Sequence, residues 1–109
     1  MSAITTHVLD AVLGKPAAGI AVRLEKQQGS AWIVIRESST DADGRCRDLA
    51  ADALEGLYRL TFATGGYLVR SGRGSIYPEI SISFLCDGEA HYHLPLLLSD
   101  NIYTTYRGS

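Results

Sequence analysis

Residues 79–98 read EISISFLCDGEAHYHLPLLL, and this stretch decides the fold class. In Glu79–Cys86 the apolar Ile80, Ile82 and Phe84 alternate with Ser81, Ser83 and Leu85, the period of two expected of a half-buried antiparallel strand. Asp87-Gly88 then supplies a tight-turn signal. Ala90–Leu98 (AHYHLPLLL) follows as a second strand, so the stretch reads as a hairpin.

Outward from this stretch the pattern repeats. Ile4–Asp10 (ITTHVLD) reads as a first strand ended by the turn residues Gly14-Lys15-Pro16. Gly19–Lys26 sets Ile20, Val22 and Leu24 against Ala21, Arg23 and Glu25. Ala31–Glu37 (AWIVIRE) is rich in β-branched and aromatic residues, and Leu57–Thr64 opposes Leu57, Arg59 and Thr61 to Tyr58, Leu60 and Phe62. Thr40–Arg45 (TDADGR) is a turn by composition and presents Arg45 at its exit. Asp48–Leu54 (DLAADAL) suits a helical turn, and Gly65–Ser71 is the best place for one short helix. Ile102–Tyr106 or slightly beyond reads as the last strand. Seven or so strands with turns every eight to twelve residues, and no fixed repeat, make an antiparallel sandwich the leading architecture and a small closed barrel the second.

The chain has 109 residues, 46% of them hydrophobic and 20% charged, which is ordinary globular composition and the size of one domain, here residues 1–109. The net charge of −2, with basic residues scattered rather than blocked, speaks against nucleic acid as a partner. No apolar run approaches the roughly 18 residues of a membrane span, and MSAITTHVLD lacks the pattern of a secretory leader, so the expected location is the cytoplasm. Cys46 and Cys86 show no C-x-x-C spacing and are expected as buried free thiols.

Three histidines are candidates for chemistry. His7 lies midway along the first strand, and His91 and His93, two apart, share one face of the penultimate strand. Singly, each reads as a satisfied, half-buried polar residue. Together they also admit a zinc site, for which the spacing alone is weak evidence. Arg45 reads as a solvated loop cation and Tyr106 as a core or interface aromatic. The pattern alone gives a small antiparallel β domain.

A resemblance goes further. THVLDAVLGKPAAGIAVRL, TDADGR, EGLYRLTFAT, YPEISISF, HYHLPLLLS and the closing TYRGS resemble, in this order and spacing, the transthyretin-related 5-hydroxyisourate hydrolases over nearly the whole chain. The resemblance implies an all-β, transthyretin-like (prealbumin-like) two-sheet antiparallel sandwich of about eight strands with one short helix. It also implies a homotetramer with substrate sites in clefts between dimers. The implied reaction, in urate catabolism, opens 5-hydroxyisourate to 2-oxo-4-hydroxy-4-carboxy-5-ureidoimidazoline without metal or cofactor. Carried over residue by residue, His7, Arg45, His93 and Ser109 are the catalytic set, and His7, Arg45, Tyr106 and Arg107 contact substrate. Gly108 is expected to provide a bend and Tyr106 to narrow the channel that a hormone carrier leaves open. His91 has no role to carry over. Either His7 or His93 serves as the base, and Arg45 stabilises the oxyanion. Asp100-Asn101-Ile102 departs from the family's usual proline, aromatic and glycine, which puts the last hairpin's geometry in question. A non-enzymatic carrier and a zinc hydrolase using His7, His91 and His93 are the rival readings.

Overall fold

The computed structural model describes residues 1–74 and 76–109. Its elements are β1 (Ser2–Asp10), β2 (Lys15–Pro16), β3 (Ala21–Gln28), β4 (Ala31–Ser39), β5 (Arg45–Ala53), β6 (Gly56–Phe62), α1 (Thr64–Arg70), β7 (Ile80–Cys86), β8 (His91–Leu98) and β9 (Tyr103–Thr105). One sheet runs β2-β1-β8-β9, with β5 also paired to β1, and the other runs β4-β3-β6-β7. The two sheets form the expected sandwich with one short helix. Every pairing is antiparallel except β1 with β8, which run parallel and set Thr5 opposite His93 and His7 opposite Pro95.

Alternation along the strands decides what is buried. On β1, Ile4, Thr6, Val8 and Asp10 point into the sandwich while Thr5, His7 and Leu9 point outward. Leu24, Leu60, Phe62 and Leu96 are fully enclosed between the sheets, joined by Leu68 from α1. Each such side chain contributes roughly 1.5–3 kcal/mol when fully buried. Cys46 and Cys86 are buried free thiols, and burial pushes the Cys86 thiol up to about 11.

Two local expectations are corrected. Asp48–Leu54 is not a helical turn: all of it but Leu54 belongs to β5, whose pairing with β1 shifts register twice. Those bulges insert extra residues, so the inward Cys46, Leu49 and Ala53 fall three and four apart, a helix-like spacing on a strand. Asp87-Gly88 does not close a hairpin either, because β7 and β8 belong to different sheets. The Tyr92 hydroxyl donates to Asp87 Oδ1 at 2.7 Å and accepts from the Asp87 N–H at 2.8 Å, which bends this segment into a corner between sheets.

The Asp100-Asn101-Ile102 departure forms a tight turn, with the Ser99 N–H donating to the Ile102 carbonyl at 3.0 Å. Arg73, just beyond α1, donates from Nε to Asp100 Oδ1 at 2.8 Å and also pairs with the buried Asp10. The unusual aspartate thus pins the last turn to the helical side of the sandwich.

Candidate active site

The outward face of the β1-β8-β5 sheet carries the site. His7 and Thr5 come from β1, His91 and His93 from β8, and Arg45 from the start of β5, where it pairs with His7 in register. Arg45 is delivered by a braced loop. Asp41 Oδ1 accepts from the backbone N–H groups of Asp43 and Arg45, each at 2.9 Å, and the Arg45 bond is the main cause holding the Asp41 carboxyl below its usual range. Gly44 sits at φ +75°, and a Cβ there would stand 2.3 Å from the Val8 carbonyl. Only glycine lets this loop press against β1. The same loop turns the Asp43 carbonyl toward His7, whose Nε2–H donates to it at 2.9 Å. His7 therefore keeps Nδ1 for other partners.

Tyr106–Ser109 folds back over β8. The Gly108 N–H donates to the His93 carbonyl at 2.8 Å. Gly108 is needed for closeness rather than for the expected bend: its φ is not positive, yet an added Cβ would meet His93 Cδ2 at 2.7 Å and the Pro95 ring at 3.2 Å. Beneath this segment lies a cleft of about 340 Å³ lined by His7, Leu9, Arg45, His93, Pro95 and residues 106–109. All six residues assigned to the site by resemblance border it. The Arg107 guanidinium leans over Tyr92, 5.0 Å from the ring centre. Tyr106 is exposed.

A second cavity of about 250 Å³ shares Arg45, His93 and Ser109 with the first and adds Thr5, Arg47 and His91. Thr5 is the residue that sequence reading missed. Its hydroxyl lies 2.7 Å from His91 Nε2 and 2.7 Å from His93 Nδ1, joining two rings whose centres are 6.0 Å apart. Alternation along β1 puts Thr5 on the face of His7, but only the parallel pairing with β8 brings it to both histidines. Arg47, two residues beyond Arg45, faces the same way by the same rule.

Burial, then the positive fields of His91, Arg45 and His7, lower the His93 pKa. At neutral pH its ring is held in the uncharged form, the one able to accept a proton. Among the described residues no group of three His, Cys, Asp or Glu side chains is arranged to hold a metal ion. His7, His91 and His93 are thus not assembled as a zinc triad.

A family model described as HIUase/Transthyretin family matches residues 4–108. A 5-hydroxyisourate hydrolase of Mesorhizobium japonicum is 45% identical, with 97% of this chain and 91% of the relative aligned. The structure of Klebsiella pneumoniae 5-hydroxyisourate hydrolase superposes with a TM-score of 0.90 at 38% identity, covering 100% of both chains. The transthyretin of Sparus aurata superposes with a TM-score of 0.92 at 30% identity, covering 99% of this chain and 97% of the other.

Proposed function

The chain belongs to the HIUase/Transthyretin family, and from that premise we propose that it is a 5-hydroxyisourate hydrolase working in the cleft between His7, Arg45, His93 and Tyr106–Ser109. The fold does not choose between enzyme and carrier, since both superpose equally well. Sequence identity favours the enzyme, at 45% against 30%. The observation that carries the reading is the convergence on one cleft of two histidines, an arginine and the Tyr-Arg-Gly-Ser segment.

In the proposed mechanism a water adds to a ring carbonyl of the substrate while His93 takes one of its protons. The addition forms a C–O bond and puts negative charge on the carbonyl oxygen. Arg45, permanently charged and fork-shaped, stabilises that oxyanion. Collapse of the tetrahedral centre breaks the ring C–N bond, and the leaving nitrogen takes the proton back from His93. The ring opens to a carboxylic acid, the expected product being 2-oxo-4-hydroxy-4-carboxy-5-ureidoimidazoline. His93 is assigned the base because its environment keeps it neutral, and a positioned base contributes roughly 10²- to 10⁴-fold. His7, anchored through Nε2, presents Nδ1 to the substrate or water. Tyr106, Arg107 and Ser109 wall the substrate in.

The active form in this reading is a homotetramer with the cleft at the contact between dimers. Leu85 on the edge strand β7 is 64% exposed, Ile102 beside the edge strand β9 is 63% exposed and Tyr106 53%, apolar surface that association would cover. Light scattering should report four chains, and a fully active monomer would contradict the shared cleft.

The test generates 5-hydroxyisourate with urate oxidase and follows its ultraviolet absorbance with and without the protein, and again after treatment with a strong chelator. Faster loss that survives chelation supports metal-free hydrolysis. An unchanged decay rate would refute the enzymatic reading, and activity lost to chelation and restored by zinc would refute the metal-free one.

A further inference from the structure

Thr5 holds a position that the reaction has so far left unused. A hydroxyl carries one proton and can accept others, so between two neutral imidazoles it donates to one ring and accepts from the other. The two 2.7 Å contacts therefore link the tautomers of His91 and His93. If Thr5 donates to His91 Nε2, it accepts from His93 Nδ1–H, and the lone pair of His93 resides on Nε2. If the direction reverses, His93 carries its proton on Nε2 and has no base to offer there. The Cδ2 edge of His93, adjoining Nε2, lies against Gly108 at the cleft, whereas Nδ1 faces Thr5.

We propose that Thr5 is a positioning residue for the hydrolysis: in the direction His93 Nδ1–H to Thr5 Oγ1 to His91 Nε2, it fixes the tautomer that leaves His93 Nε2 free as base. His91, exposed at the rim, is the outer end of this chain and takes the hydroxyl proton. The inference rests on His93 serving as the base. Protonation at Nε2 then leaves the Thr5 bridge unchanged, because Nδ1–H already donates to it. The reverse tautomer would have to reorient both hydrogen bonds before His93 could accept a proton.

The positive groups that lower the His93 pKa are His91 on its own strand, Arg45 from β5 and His7 from β1, while Arg47 and Arg107 line the adjoining cavities. All are cations or can become so. Replacing His91 by an uncharged ring removes one of them and raises the His93 pKa. Replacing Thr5 by valine removes an acceptor that favours the protonated ring and lowers it.

The experiment compares wild type, Thr5→Val, Thr5→Ser and His91→Phe. Long-range proton–nitrogen NMR of the histidine rings at neutral pH reads the tautomer without reference to activity, and the pH dependence of kcat/KM reads the base. The bridge predicts that wild-type His93 is protonated on Nδ1 and that Thr5→Val mixes the tautomers. It also predicts a fall in kcat/KM of about tenfold for Thr5→Val, the size of one net hydrogen bond. Thr5→Ser should restore the wild-type tautomer and most of the rate. The acid limb of the profile should move to lower pH in Thr5→Val and to higher pH in His91→Phe. Wild-type His93 protonated on Nε2, or a Thr5→Val spectrum identical to wild type, would overturn the proposal even in an active enzyme. A protein that leaves 5-hydroxyisourate untouched but shows the predicted tautomers would sink the enzymatic reading and not the bridge. A Thr5→Ser protein as slow as Thr5→Val, both with wild-type melting, would show that the hydroxyl is not the reason and also overturn it.

Discussion

Strand β1 carries two polar clusters, one on each of its faces, and they are built to opposite ends. On the inward side Asp10 is fully buried, and its carboxylate accepts from the Tyr67 hydroxyl at 2.7 Å, from the Val12 and Leu13 N–H groups at 3.1 Å, and from Arg73. Every lone pair is spoken for. Burial works to raise the Asp10 pKa, yet the bonds from Arg73, Tyr67 and Leu13 bring it down to about 2. On the outward side His7 and His93 each have one ring nitrogen engaged, with Asp43 and Thr5, and both rings line the cleft. A closed network gives stability and a fixed strand end, whereas a half-committed one leaves groups free for substrate.

The sharpest way to break this contrast is to exchange the two outcomes. His93→Asn and His7→Asn should each lower turnover by about 10²-fold or more, the loss of a positioned acid or base, while the melting temperature moves little. Asp10→Ala should do the reverse. Removing one partner of a buried pair costs about 3 kcal/mol, the low end of the usual range because Asp100 still engages Arg73. Denaturant unfolding would read the loss, and the folded variant should keep its rate constant within a few-fold. An Asp10→Ala protein that is stable but inactive would show that the inward cluster does more than hold the strand.

Gly108→Ala is a smaller and more local test. The added methyl must displace His93 or the overlying segment, and a misplacement of about 1 Å near the chemistry can cost roughly 10²-fold. Even partial relaxation should leave a loss of about tenfold in kcat/KM with little change in melting. The smallest effect is on acid stability. Because the Asp10 pKa in the folded protein is below its ordinary 3.8, its contribution is present above about pH 4 and is lost as pH falls toward about 2. The melting temperature of wild type should fall across that window more steeply than that of Asp10→Asn.

How much of this was legible in the sequence differs between the two faces. Period-two alternation grouped Val22 with Leu24, and Tyr58 with Leu60 and Phe62, on single strand faces, and these faces are the ones that pack into the core. It failed on β5, where bulges break the period, and at Asp87-Gly88, where a turn signal is local but the sheet is set by the long-range pairing of β7 with β6 and of β8 with β1. The outward residues His7, Arg45, His93 and Tyr106–Ser109 were found by resemblance, and the fold brings them to one cleft. Thr5 was not found, because threonine on a strand is unremarked until a parallel neighbour sets two histidines against it. Nor did the sequence show that Asp100, a departure from the family pattern, would find its partner in Arg73.

In the proposed function, hydrolysis takes place in the cleft beneath Tyr106–Ser109, against His7 and His93. The most direct measurement is the initial rate of 5-hydroxyisourate loss by a protein lacking Arg107-Gly108-Ser109, with thermal melting recorded on the same sample. These residues add one backbone hydrogen bond to His93, the Arg107 contact with the Tyr92 ring and no buried apolar side chain, so melting should stay within a few degrees of wild type while the rate falls by about 10²-fold. A truncated protein that melts normally and turns over at the wild-type rate would move the chemistry out of this cleft.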